Sequence, residues 1–180
     1  MMKTPSLSKH LLSTKAPWAS LVVLKTGDSL DRIVTAPNGF AIKTIHGTKC
    51  RTTGGLFAEF AHALSFPEYF GHNWDALEEC LADLEWLPAK GYVLLLTEAE
   101  QVLRQEEEEY ATLLEVLSDA GEAWASGQAG MGERPATPFH VLFVVTARAK
   151  SQRAHWGIDE MTVPSTGGPR TRRRTPKTRR

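Results

Sequence analysis

The chain has 180 residues, 42% of them hydrophobic, and 21 Lys and Arg balance 21 Asp and Glu to a formal charge of zero. That is enough for one domain with a sizeable core. No run of about eighteen apolar residues occurs, so no helix is expected to span a bilayer. Cys50 and Cys80 are the only cysteines and form no CxxC pair, which argues against a disulfide framework or a zinc site. The N-terminus has Lys3, Lys9 and Lys15 but no apolar h-region with a cleavage site, so no secretory signal is expected and the chain reads as cytoplasmic.

Residues 1–16 are polar without a sustained period and are expected to form a mobile lead-in. Leu21–Leu24 is a short strand ended by the turn signal Thr26-Gly27-Asp28. Asp28 or Ser29 caps a short helix through Val34, and Pro37-Asn38-Gly39 closes it. Phe40–Ile45 reads as a strand. From Thr53-Gly54-Gly55 onward, Leu56, Phe57, Phe60, Ala61 and Leu64 recur at helical spacing until Ser65-Phe66-Pro67. A loop follows, and then a helix with Asn73 as N-cap and Asp75 in its first turn. Tyr92–Leu96 suits a strand buried on both faces. A short helix covers Glu98–Arg104. The acidic run Glu106–Glu109 favours the start of a longer helix through Trp124, and Phe139–Val145 is the last strand.

Strands separated by helical stretches argue for an α/β fold: a small, mainly parallel β-sheet flanked by helices. An N-terminal strand extension (1–38) precedes the domain (39–146). A basic tail (147–180), rich in Arg, Lys, Thr, Pro and Gly, is expected to be disordered.

Zero net charge conceals a segregated field. Between Thr53 and Gly127 there are sixteen acidic residues against Lys90 and Arg104, while Ala147–Arg180 holds ten Lys and Arg against Asp159 and Glu160. A folded part so charged should attract a basic surface and repel nucleic acid. The field concentrates on the helix after Asn73. At about 100° per residue, Asp75, Glu78, Glu79 and Asp83 fill an arc of about 140°, with Leu77, Cys80, Leu81 and Leu84 opposite. A solvated acidic face is the plain reading of such a helix. The loop before it, Pro67–Asn73, adds an aromatic, a glycine and an amide beside the carboxylates.

The segment Phe66–Leu81, FPEYFGHNWDALEECL, resembles the inhibitor helix and loop of the barstar family, intracellular inhibitors of the secreted ribonuclease barnase. Weaker resemblance extends over about 39–146. It implies a stoichiometric inhibitor, without turnover or cofactor, whose partner is a basic, barnase-like ribonuclease and whose carboxylates stand in for RNA phosphates. By resemblance Glu79 matches the family's central phosphate-mimicking acid and Asp75 the second acid on that face. Tyr69 matches the tyrosine that packs on the ribonuclease's catalytic histidine, Gly71 and Asn73 match loop contacts, and Asp119 matches an outlying acid on the later helix. Three positions depart from the family pattern. Glu79 is one methylene longer than aspartate, which moves the carboxylate further than a hydrogen bond tolerates unless the partner differs. Glu78 replaces an aromatic and adds charge to the predicted contact face. Asp83 stands where the family has glycine.

Other chemistries fit less well. His72 and Asp75 could begin a metal site, but no further ligand falls at the right spacing. Paired-carboxylate catalysis needs one acid buried beside a cleft, whereas Asp75 and Glu79 lie on the polar face. No phosphate loop or nucleophile elbow appears. His62 and His140 lie in apolar stretches and read as core or edge histidines. The tail could bind nucleic acid through phosphates, fold back as a mask on the acidic face, or serve solubility alone. A nucleic-acid-associated protein with a protein-interaction domain is thus the alternative function.

Overall fold

A computed structural model describes residues 6–128 and 132–163. In chain order it contains α1 (Leu7–Leu11), β1 (Ala19–Leu24), α2 (Leu30–Ile33), β2 (Phe40–His46), α3 (Thr53–Leu64), α4 (Trp74–Asp83), β3 (Gly91–Thr97), α5 (Tyr110–Ser126), β4 (Phe139–Thr146) and α6 (Ala147–Lys150). Short 3-10 turns occupy Gly47–Lys49, Ala99–Gln101 and Glu107–Glu109. The helix expected over Glu98–Arg104 is therefore reduced to one 3-10 turn.

The four strands form one sheet in the order β1-β4-β3-β2, and every pair is parallel. Burial follows position in that order. The central strands β3 and β4 are buried almost end to end, as the apolar run Tyr92–Leu96 and the segment Phe139–Val145, apolar but for His140, require. The edge strand β2 alternates, with Ile45 buried and Ile42 exposed. One face of the sheet carries the larger core, where Leu56, Phe60, Leu77, Leu81, Leu113 and Leu117 from α3, α4 and α5 meet Leu94, Leu96, Val141 and Phe143. The other face is smaller. There Leu7 and Leu11 of α1 and Ile33 of α2 cover Val22, Val93, Leu142 and Val144.

Both ends of the described chain are more ordered than composition implies. Within the expected lead-in, α1 buries Leu7, His10 and Leu11 against the second sheet face. Its five residues are too short to display a period, so its apolar contacts are visible only in three dimensions. Residues 147–163 fold rather than trail. Trp156 is buried and donates from Nε1 to Lys150 O at 3.1 Å, Met161 is buried, and Glu160 bridges to Leu21 beside β1. Two apolar anchors, Trp156 and Met161, and the bridge at Glu160 suffice to seat this segment among its basic neighbours. The Arg-rich stretch 164–180, with its expected disorder and possible nucleic-acid binding, lies outside the described residues. His140 is fully buried in β4 and its Nε2 meets Ser13 O at 2.7 Å, whereas His62 is exposed on α3. No helix among the described residues is long and apolar enough to cross a membrane.

Candidate functional site

The acidic helix α4 begins as its sequence dictates. Asn73 is extended, and its Oδ1 accepts from the Ala76 N–H at 2.8 Å. Such a cap satisfies one of the otherwise unpaired first-turn donors. The same side chain donates from Nδ2 to Gly71 O at 3.3 Å, closing the loop onto the helix. A Cβ at Gly71 would lie 3.1 Å from Asn73 Nδ2 and 3.6 Å from Ala76 Cβ, so glycine suits this close approach. Asn73 thus has both ends of its amide engaged inside the chain, which makes it a scaffold of the face as well as a loop position on it.

The loop and helix are seated by aromatics. Phe70 is buried, with edge contacts to Phe57 (6.4 Å between centroids) and Phe66 (4.9 Å). The Trp74 ring meets Phe57 edge-on at 5.0 Å, and its Nε1 donates to Glu109 Oε2 at 2.9 Å. Leu77, Cys80 and Leu81 fix the inner side of α4. Burial, then Asp83 and Glu79, pushes the Cys80 thiol up to about 11, so it packs as a neutral hydrophobe. Cys50 is likewise buried, and no disulfide joins the two.

Outward, the predicted residues come together. Asp75, Glu78 and Glu79 are exposed on α4, and Asp119 is exposed on the neighbouring α5. Partial desolvation, then Asp119, Asp75 and Glu79, raises the Glu78 carboxyl above its ordinary value. Carboxylates from two helices therefore converge on Glu78. Asp83 is half-buried at the end of α4. Tyr69 is 74% exposed, the largest apolar surface offered by any of the predicted contact residues. Local desolvation, then Cys80, Asp83 and Glu85, raises its phenol, so Tyr69 sits within the same field. Gly71 and His72 are exposed beside it.

Asp75, Glu78, Glu79 and Asp119 make no ion pair within the described chain, where Lys49–Glu59 and Lys150–Glu160 are paired. Other acids of the same stretch do structural work. Glu59 is buried and accepts from His46 N–H at 3.1 Å, and Glu106 Oε2 accepts from Thr53 N–H at 2.6 Å at the start of α3. Glu109 holds Trp74. Among the described residues no cluster of three or more His, Cys, Asp or Glu could hold a metal ion.

Sequence reasoning missed the support at the far end of α4. Trp124 Nε1 donates to Leu81 O at 2.8 Å, and Arg134 Nη1 donates to Asp83 O at 3.1 Å. The available signal was the absence of any basic residue in the last turn of an acidic helix.

No curated protein sequence matches the chain. The family model described as Barstar (barnase inhibitor) matches residues 40–144, from the first residue of β2 almost to the end of β4 and across the whole acidic face. With its parallel sheet and flanking helices, this chain belongs to the barstar family.

Proposed function

We propose that this protein binds a basic, barnase-like ribonuclease in the cytoplasm and blocks its active site with the acidic face of α4. The observation that carries the reading is the set of exposed, unneutralised carboxylates Asp75, Glu78, Glu79 and Asp119, mounted beside Tyr69 on a helix anchored at both ends. A cleft built to hold polyanionic RNA must present Arg, Lys and His. A stiff acidic helix matches those charges without a scissile bond, and charge-assisted hydrogen bonds to arginine are the strong kind. Tyr69 adds a rigid aromatic that loses little entropy on docking and can pack against an imidazole or a guanidinium. The two free thiols suit a reducing compartment.

The test is titration of the protein into barnase, and into basic ribonucleases captured from the native host, during hydrolysis of a fluorogenic RNA. Complete inhibition at one-to-one stoichiometry is expected for the matching ribonuclease, with weaker inhibition of barnase because Glu79 is one methylene longer than aspartate. Asp75→Ala and Glu79→Ala should each weaken the complex by more than about 2 kcal/mol, the scale of an interface hot spot. Association should slow as salt is added, as it does for the barnase–barstar pair, a standard example of electrostatic steering. Unchanged affinity in both alanine variants would refute the reading.

A further inference from the structure

The acidic helix is at odds with its own dipole at the C-terminal end. α4 has no basic residue in its last turn and ends on Asp83, where the peptide dipoles favour a cation. Its last carbonyls also lack intrahelical donors. The missing donors and the missing charge come from one place. Trp124 Nε1 donates to Leu81 O, while the Arg134 guanidinium donates from Nη2 to Ala82 O and from Nη1 to Asp83 O. The guanidinium carbon lies 3.1 Å from the centre of the Trp124 ring, so ring and cation form one stacked unit under the helix end.

That unit is itself fixed to α5. Arg134 N–H donates to Gly127 O at 3.3 Å, and Thr137 N–H donates to Trp124 O at 3.0 Å. Gly127 closes α5 with φ +71°, a left-handed conformation in which a Cβ would stand 2.2 Å from Arg134 O. Glu109, immediately before α5, holds the other end of α4 through Trp74. The acidic helix is thus strung between the two ends of α5.

We propose that Arg134 is a positioning residue for the acidic face. From the loop between α5 and β4 it caps the C-terminal end of α4 and fixes the direction in which Asp75, Glu78 and Glu79 point. The proposal rests on the inhibitor reading above for its functional consequence. A planar guanidinium can bridge two successive carbonyls and stack on an indole at the same time, which an ammonium cannot. A rival role makes the opposite kinetic forecast. If Arg134 only diluted the negative field, its removal would speed association with a cationic partner and leave dissociation alone.

The test compares wild type, Arg134→Ala and Arg134→Lys by amide hydrogen exchange on the free protein and by binding kinetics with barnase as the probe. In Arg134→Ala, amides of Cys80–Leu84 should exchange at least ~10-fold faster with β3 and β4 unchanged, the signature of a local opening. Dissociation from barnase should be ~10-fold faster with association within twofold of wild type, because affinity changes within one interface reside mainly in the off-rate. Arg134→Lys should fall between, and it carries the test alone if the alanine variant does not fold. Unchanged protection in α4, equal acceleration across the sheet, or faster association with unchanged dissociation would each overturn the proposal. Wild-type protein that binds neither barnase nor any captured basic ribonuclease would count against the inhibitor reading, and the exchange measurements would still decide the role of Arg134.

Discussion

Glu78 occupies the most crowded point of the acidic face. Its neighbours Asp119, Asp75 and Glu79 are all carboxylates, and they hold its own carboxyl above the ordinary value after partial desolvation. A group raised in this way binds its proton more tightly in the folded protein than in the unfolded one. Stability is therefore lost as pH rises through the ordinary carboxylate range and the raised value. Glu78→Gln should remove that loss. At pH 7 the free protein should melt about 1 °C higher, as relief of like-charge pairs worth a few tenths of a kcal/mol implies. At pH 3, with Glu78 itself protonated, the gain should vanish. A calorimetric melting temperature equal to or below wild type at pH 7 would contradict this account. The residue thus illustrates an acidic face kept at the expense of the fold that carries it.

At the scale of elements, α4 is held by its neighbours more than by its own composition. Gly127→Ala tests this without touching the acidic helix. The new methyl would collide with Arg134 O and strain a left-handed residue, costing about 1 kcal/mol or more in stability. The displacement of Arg134 should make α4 the first part of the protein to lose exchange protection; protection lost first in β3 or β4 would count against it.

Much of this arrangement was legible from residues alone. Asn73 announced the start of α4, Ser65-Phe66-Pro67 the end of α3, and the two apolar runs the central strands, because each signal is local and has a single backbone consequence. The amphipathic spacing placed Asp75, Glu78 and Glu79 outward, and the structure has them exposed. The anchors were not legible. Trp74 to Glu109, Trp124 to Leu81 O and Arg134 to Asp83 O join positions 35, 43 and 51 residues apart, and no local pattern encodes such pairings. The same holds for α1, whose Leu7 and Leu11 are explained only by the sheet face beneath them.

For the molecule as a whole, acid should act from beneath α1 as well as on the carboxylates. His140 is fully buried, and burial, then His10, lowers it to about 4 despite bonds to the Ser13 and Pro17 backbone. The two rings lie 4.5 Å apart, and His10 is lowered by burial too. A histidine depressed in the folded state leaves stability intact above its ordinary value near 6.5. Stability then declines as pH falls towards 4, on the order of 3 kcal/mol for His140. Urea midpoints between pH 7 and pH 4.5 should therefore fall more steeply for wild type than for His140→Leu. Equal slopes would remove His140 from the account.

Strand β1 finds its partners far along the chain. It pairs with β4 alone among the strands, Leu21 is bonded on its other side by Asp159 O and Met161 N–H, and the contact from His140 to Ser13 spans 127 positions. Loops of that length close late. During synthesis, Leu21 and Val22 must leave the ribosome with nothing to pair with and wait until β4 and then Met161 have emerged. Strand β1 is thus translated well before its partners yet is among the last to be zipped into place, and its apolar side chains stay open to a nascent-chain chaperone in the interval.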